Sequence, residues 1–101
     1  MSDPKPAAFS EIPAAPLRKL VEARRHMRVA GSRVRWDSLA RELNGASVTA
    51  GLVDFECKPF KEEPGLFCEW SERGEWRRAE IRDIEAEIAE SILVVREVLE
   101  T

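Results

Sequence analysis

The sequence predicts an α+β fold made of two N-terminal helices, a β-hairpin and a long C-terminal amphipathic helix. Apolar residues recur at helical spacing in residues 16–31 and again from residue 75 towards the end of the chain. Between them, residues 53–71 hold two β-favouring runs separated by a turn sequence that contains Pro64-Gly65. A chain of 101 residues with 44% hydrophobic and 35% charged residues has the size and composition of one globular domain.

The first helix is predicted to begin near Pro16, because proline suits the first turn of a helix, and to end at Gly31. Residues 1–13 hold three of the six prolines among small and polar residues, and we expect a flexible N-terminal arm there. Phe9 and Ile12 can attach the last part of this arm to the body.

The segment that follows the first helix is predicted as a short strand and a second helix. Residues 33–36 alternate polar and apolar side chains, which favours a third strand beside the hairpin. Asp37 or Ser38 can cap the second helix, which is expected to end at Gly45. The pattern in residues 46–52 leaves open whether they form a strand or a single helical turn.

The hairpin allows two registers. A tight turn centred on Pro64-Gly65 pairs Lys61 with Cys68, whereas a longer loop pairs Cys57 with Cys68. We expect the second register, because it places apolar residues opposite one another on one face and burial specifies register. The two cysteines are then cross-strand neighbours: they can act as buried thiols, which is the reading we favour, or form a disulfide in the presence of an oxidant.

Residues 75–100 are predicted to form the long helix. Its apolar stripe has steps of three and four residues and consists of Ile81, Ile84, Ile88, Ile92, Val95 and Leu99. Four consecutive apolar residues, 92–95, cover most of the helix circumference, so a hairpin on one side cannot bury them. The helix either lies centrally within the domain, residues 14–101, or pairs with a second copy in a homodimer, which we expect. The predicted dimer interface comprises Ile88, Ile92, Val95, Val98 and Leu99.

No catalytic, cofactor or metal site is predicted, and we expect a protein that is not an enzyme. The serines lack a surrounding motif, and the chain has no glycine-rich phosphate loop. Two cysteines and the distant His26 do not make a four-ligand zinc site. Neither a targeting segment nor a membrane-spanning run is visible, which favours a cytoplasmic protein without membrane contact. The three tryptophans (Trp36, Trp70 and Trp76) are expected to share the core.

Charge is distributed unevenly along the chain. Residues 1–45 carry nine Lys or Arg and five acids, whereas residues 46–101 carry seven bases and fourteen acids. Such a division is typical of a basic binding face on an acidic body, or of two halves that attract each other.

The order of helix, short strand, helix, hairpin and long helix resembles a winged helix. Residues 34–44, with a Leu-Ala pair inside a short helix, resemble the scaffold helix of its helix-turn-helix unit. The resemblance implies a small regulator that binds duplex DNA as a dimer, with the basic half of the chain on the DNA side. Its phosphate contacts would come from Arg25, Arg28, Arg33, Arg35 and Arg41.

A protein-binding module is the competing functional hypothesis. In this reading the chain is an adaptor, an inhibitor or a subunit of an assembly. The acidic hairpin and the outer face of the C-terminal helix would then contact a protein partner, for which the sequence carries no identifying motif.

Overall fold

The structure is a computed structural model that describes residues 3–30 and 33–90. The described chain is α+β, as predicted, and its strands form one mixed sheet in the order β1-β4-β3-β2. Strand β1 runs parallel to β4, and the other neighbours are antiparallel. The elements are β1 (Lys5–Pro6), a 3₁₀ turn (Phe9–Glu11), α1 (Ala14–Ala30), α2 (Trp36–Thr49), β2 (Phe55–Pro59), β3 (Leu66–Glu72), β4 (Glu75–Ile81) and α3 (Ile84–Glu90).

The core lies between the helices and one face of the sheet. Alternate residues of β3 are buried, as expected for a strand with one covered face. Leu20 of α1, Leu43 of α2 and Ile84 of α3 are at most 1% exposed and belong to the same apolar cluster as the buried strand residues. The opposite face of the sheet carries Glu56 and Lys58 of β2, Glu69 and Ser71 of β3, and Arg78 and Glu80 of β4, together with the aromatic Phe67 and Trp76.

The predicted hairpin register is confirmed. Cys57 lies opposite Cys68, and the flanking pairs are those that the longer loop requires. This register also places Glu56 opposite Glu69 on the outer face, which is a repulsive pair. Arg78 of β4 lies beside Glu69 from the other side, with 3.7 Å between its Nε and a carboxylate oxygen, and offsets this repulsion.

Helix α2 is longer than predicted and settles the open segment. It passes through Gly45 and ends at Thr49, and within the added turn Ser47 faces the core and donates a hydrogen bond to the Leu43 carbonyl at 2.8 Å. A turn with Gly51 at a φ of 80° then leads towards β2. The prediction of a helix end at Gly45 is therefore wrong by a full turn, and only the first part of residues 46–52 is helical.

The strand predicted at residues 33–36 is absent from the structure. Residues 33–35 have no regular structure, and Trp36 is already the first residue of α2. Arg35 takes the N-cap position in extended conformation and offers no side-chain hydrogen bond, so neither Asp37 nor Ser38 caps the helix. Residues 33–36 alternate between polar and apolar side chains because Val34 and Trp36 pack against the core.

The prediction that the C-terminal helix begins at residue 75 is wrong, because residues 75–81 form β4. Arg73 and Gly74 have φ values of 53° and 80° and form a two-residue turn between β3 and β4, which is a typical hairpin connection. Ala79 and Ile81 point into the core at strand spacing. Ile81 lies three residues before Ile84, so the helical spacing of the isoleucines extends from β4 into α3 although only α3 is a helix.

Helix α3 begins only after Asp83, whose carboxylate accepts hydrogen bonds from the backbone N–H groups of Glu85 and Ala86 at 3.0 and 3.2 Å. Its Ile84 and Ile88 are buried. The rest of the predicted dimerisation helix lies outside the described residues. None of the described helices has the length and apolar character needed to cross a membrane.

The segment expected to be a flexible arm contacts the body over residues 5–12. Strand β1 adds to the sheet beside β4, and Phe9 and Ile12 are 5% and 3% exposed within the core cluster. Glu11 holds the 3₁₀ turn, since its carboxylate accepts the Ala8 backbone N–H at 2.7 Å and the Arg77 guanidinium at 2.8 Å. These hydrogen bonds lower the pKa of Glu11, the one from Ala8 most strongly.

Candidate functional site

The arginines predicted to contact phosphates lie on the two N-terminal helices and their connection. Arg25 is exposed near the end of α1, and Arg41 is exposed on the second turn of α2. Arg33 and Arg35 are exposed on the connection that leads into α2. The side chain of Arg28 lies outside the described residues. Because α1 and α2 pack against each other through a short connection, the four described arginines belong to one helical layer.

A groove of about 340 Å³ lies where the end of α1 meets the start of α2. It brings together Arg33 and Arg35 of the predicted set, while Arg25 and Arg41 do not line it. His26 and Ser38 also line the groove. His26 lies among arginines in the sequence, where we expect an ordinary surface histidine rather than a phosphate contact, and no sequence pattern assigns Ser38 to this site. Its lining residues are Ala23, His26, Met27, Arg33, Val34, Arg35, Ser38, Leu39 and Glu42.

The structure resolves the uneven charge along the chain into two layers. Residues 14–50, which contain α1 and α2, carry eight bases and three acids, a formal charge of +5. Residues 51–83, which contain β2–β4, carry six bases and nine acids, a formal charge of −3, and α3, which packs against α1 on the helical side of the core, adds the three acids Glu85, Glu87 and Glu90. The first helical turn of α2 adds a partial positive charge next to the groove, because Arg35 provides no side-chain acceptor for its backbone N–H groups.

The two layers differ in how many of their cations form ion pairs within the described residues. On the sheet, Lys58 pairs with Glu56, and Arg77, Arg78 and Arg82 each pair with at least one glutamate. On the helical layer, no ion pair with a described carboxylate is made by Arg25, Arg33, Arg35 or Arg41. Arg41 makes a long hydrogen bond of 3.4 Å to the hydroxyl of Ser38. Lys61 and Arg73 in the hairpin loops also make no described ion pair, so the helical layer differs in holding the larger number of such cations, Arg25, Arg33, Arg35 and Arg41.

The outer face of the sheet is a second exposed surface, and its arginines stack on aromatic rings. The Arg78 guanidinium lies 4.2 Å from the ring centre of Phe67, and that of Arg82 lies 4.7 Å from the ring centre of Phe60. The two rings are 6.0 Å apart, so the four side chains form a continuous row across the sheet. Each arginine is thus held by a ring and by a carboxylate, as expected of groups that stabilise the sheet.

The three tryptophans do not share the core as predicted. Trp70 is 4% exposed on the inner face, and Trp36 is partly buried against the core. Trp76 is 47% exposed, because β4 points it to the outer face next to Ser71 of β3. If residues 75–81 are taken as a strand, in which successive side chains point to opposite faces, the sequence predicts that Trp76 lies on the outer face.

The predicted dimer interface is only partly within the described chain. Ile88 is 2% exposed and lies in the core of the single chain, on the helix that packs against α1. Ile92, Val95, Val98 and Leu99 lie outside the described residues.

The described residues contain no group of three or more His, Cys, Asp or Glu side chains arranged to hold a metal ion. Comparison of the chain with protein-family models, curated proteins and solved structures gave no match.

Proposed function

We propose that this protein is a small, non-enzymatic regulator that binds duplex DNA through its helical layer. The observation that carries the proposal is the set of exposed arginines that pair with no described carboxylate: Arg25, Arg33, Arg35 and Arg41. Cations that are free of internal partners can neutralise phosphates and release condensed counterions, which drives DNA binding irrespective of sequence.

The proposed contact is with the phosphate backbone. In a winged helix a recognition helix follows the scaffold helix, whereas here residues 50–54 form a turn and an irregular stretch between α2 and β2. The hairpin that would serve as the wing is acidic, with Glu56, Glu62, Glu63 and Glu69, and would be repelled by phosphates. Arginines on the helical layer can position the protein on DNA without reading bases.

The test is binding to random duplex DNA, measured by fluorescence anisotropy over a series of salt concentrations. Each phosphate contact contributes about 0.9 to the slope of log K against log salt, so four or five arginines predict a slope of roughly −4. The variant Arg33→Gln/Arg35→Gln should bind more weakly and reduce the slope by about 2.

The matched control is Lys61→Gln/Arg73→Gln. It removes the same charge from two exposed residues of the hairpin loops, which lie on the acidic layer. This control should leave affinity and slope nearly unchanged. Failure of the wild-type protein to bind at low salt, or an equal loss in both variants, would falsify the DNA proposal.

A homodimer remains part of the proposal, since two helical layers on one duplex would add their phosphate contacts. Most of the predicted interface belongs to residues 92–99, outside the described chain. Sedimentation equilibrium of the wild type and of Val95→Glu measures this directly. A wild-type protein that is monomeric at micromolar concentration contradicts the dimer while leaving the DNA contact intact.

A protein-binding role is the second candidate, and exposed Trp76 on an acidic layer favours it. Indole rings bind cationic side chains, and the formal charge of −6 in residues 51–90 attracts a basic segment. Titration with a lysine-rich and a glutamate-rich peptide of equal length distinguishes this role. Binding of the lysine-rich peptide that is lost in Trp76→Ala supports it, and equal binding of both peptides contradicts it.

A further inference from the structure

The core contains a pair of cysteines whose sulfur atoms lie close together across two strands. Cys57 of β2 is directly opposite Cys68 of β3, and the Cys68 thiol donates a hydrogen bond to the Cys57 sulfur at 3.1 Å. Both residues are free thiols, 2% and 0% exposed. A disulfide bond is about 2.05 Å long, so the two sulfur atoms need to approach by only about 1 Å.

The backbone positions of the two cysteines also suit a disulfide. The N–H and C=O of Cys57 bond to the side chain of Asn44, so they point away from β3. The Ser71 N–H donates a hydrogen bond to the Asp54 carbonyl, so Asp54 and Ser71 are a hydrogen-bonded pair. Hydrogen-bonded and non-hydrogen-bonded pairs alternate along an antiparallel ladder, and Cys57 lies three residues after Asp54. Cys57 and Cys68 are therefore a non-hydrogen-bonded pair, for which the Cα atoms are about 4.5 Å apart. That separation is at the short end of the range that disulfides span, about 4.4–6.8 Å.

We propose that Cys57 and Cys68 are a reversible oxidation site. A low-molecular-weight disulfide, such as oxidised glutathione, oxidises the two thiols to an intrachain disulfide. The Cys57 thiolate attacks one sulfur of the oxidant and releases one reduced glutathione. The Cys68 thiolate then attacks the Cys57 sulfur of the mixed disulfide and releases the second. Two electrons pass from the cysteine pair to the oxidant, and the two thiol protons end on the released glutathione molecules.

The oxidant can reach the buried thiols only when the edge of the sheet formed by β2 opens. Burial and the hydrogen bond between the thiols raise the pKa of Cys68, the hydrogen bond more strongly, so little thiolate is present at neutral pH. Strand β2 is the edge of the sheet, and the two hydrogen bonds from Asn44 hold Cys57 in place. Oxidation is therefore slow in the native protein, accelerates with pH, and is faster in Asn44→Ala than in the wild type.

The bond would join an edge strand to its neighbour and close a loop of the hairpin. Closing such a loop restricts the unfolded chain, and we expect a rise in Tm on the order of 10 °C on oxidation. The thiols lie beneath α2 in the core, whereas Arg33 and Arg35 are exposed on the connection before α2. DNA affinity should therefore be equal in the two redox states, and the oxidation site is tested independently of the proposed function.

The experiment equilibrates the full chain in glutathione buffers of graded redox ratio. Equilibrium is approached both from native reduced protein and from protein refolded in the oxidised buffer, so that slow access does not hide the outcome. Samples are quenched in acid, unfolded and alkylated, and intact mass and free thiols are measured. We expect both thiols to disappear together, with a mass lower by two hydrogen atoms, and to return with dithiothreitol.

Two single variants are the controls. Cys57→Ser and Cys68→Ser each keep one buried thiol and should show at most a mixed disulfide with glutathione. The proposal is overturned if the folded wild type keeps two thiols at every redox ratio from both directions. It is equally overturned if the wild type accumulates only the mixed disulfide that the single variants form.

Discussion

Asn44 should be among the most sensitive polar residues of the described chain, because it satisfies the exposed edge of the sheet. Its side-chain N–H donates to the Cys57 carbonyl at 2.9 Å, and its side-chain oxygen accepts the Cys57 N–H at 2.8 Å. In this way an α2 side chain occupies the position that another strand would take beside β2. An edge strand with unpaired backbone groups can pair with a strand of another chain, and a side chain that bonds these groups prevents such pairing.

The size of the effect follows from the burial of Cys57, which is 2% exposed. A buried polar group that loses its partner costs about 1–3 kcal/mol, and Asn44→Ala removes the partners of two such groups. Water can reach an edge strand more readily than an interior one, so we expect a loss of about 2–4 kcal/mol. For a domain of this size that lowers the Tm by roughly 10–20 °C.

Urea denaturation and thermal unfolding of Asn44→Ala, Asn44→Asp and Gly45→Ala measure this. Asn44→Asp keeps the acceptor and loses the donor, so its loss should be smaller. Gly45 is the matched control, since an added Cβ meets no atom within 4 Å and alanine favours a helix by about 0.5–1 kcal/mol. A loss below about 0.5 kcal/mol in Asn44→Ala would show that water replaces both hydrogen bonds and would refute the reasoning.

Three further changes test other parts of the fold. Gly65→Ala should destabilise strongly, because its Cβ would lie 2.7 Å from the ring of Phe60 at a φ of 143°, and unfolding in urea measures the loss. Ile88→Ala should cost about 2–5 kcal/mol at every protein concentration; a loss that varies with concentration would place Ile88 between copies instead of in one core. Glu11→Gln should reduce the pH dependence of stability: hydrogen bonds from Ala8 and Arg77 lower the pKa of Glu11, so its contribution is present above the unfolded pKa and is lost as pH falls through the lowered value. An unchanged difference in Tm between neutral and acidic buffer contradicts this last expectation.

The hairpin register could be predicted from sequence because only the longer loop places apolar residues directly opposite one another. In that register Cys57 lies opposite Cys68 and Phe55 opposite Trp70, and packing of these pairs on the buried face selects this arrangement. The first helix could be placed for a similar reason, since its apolar face and its proline agree. In both segments the local pattern and the global core demanded the same structure.

Strand β4 was missed because its inward positions are weakly apolar. Arg77 occupies one of them and is accommodated by an ion pair with Glu11, a partner distant in sequence. The remaining positions hold Ala79 and Ile81, and Ile81 fits the helical stripe equally well. Two local signals did favour the correct answer: the two-residue turn at Arg73-Gly74, and Asp83 as a helix cap.

The arginines of the candidate site could be selected from sequence, but their surroundings could not. Composition identifies a basic segment, whereas the groove exists only because α1 and α2 pack so that Arg33 and Arg35 meet His26. Whether each arginine has a carboxylate partner is likewise a tertiary property. Arg78 and Arg82 are no less basic than Arg33, yet Glu69, Glu63 and Glu80 neutralise them within the fold.

The two-layer arrangement makes the proposed DNA binding compatible with a net charge of −3. Because the apolar faces of the helices and of the sheet meet in the core, the exposed arginines of α1 and α2 lie on the helical side, together with the acids of α3, and the outer face of the sheet lies on the other side. The shortest dimension of the molecule is 25 Å, whereas electrostatic interactions are screened over about 8 Å at physiological ionic strength. In the proposed complex, charges on the outer face of the sheet that lie farther from the duplex than this screening distance would contribute little to binding. Lower ionic strength lengthens the screening distance, so the acidic layer should then begin to oppose binding and make the salt dependence shallower at its low-salt end.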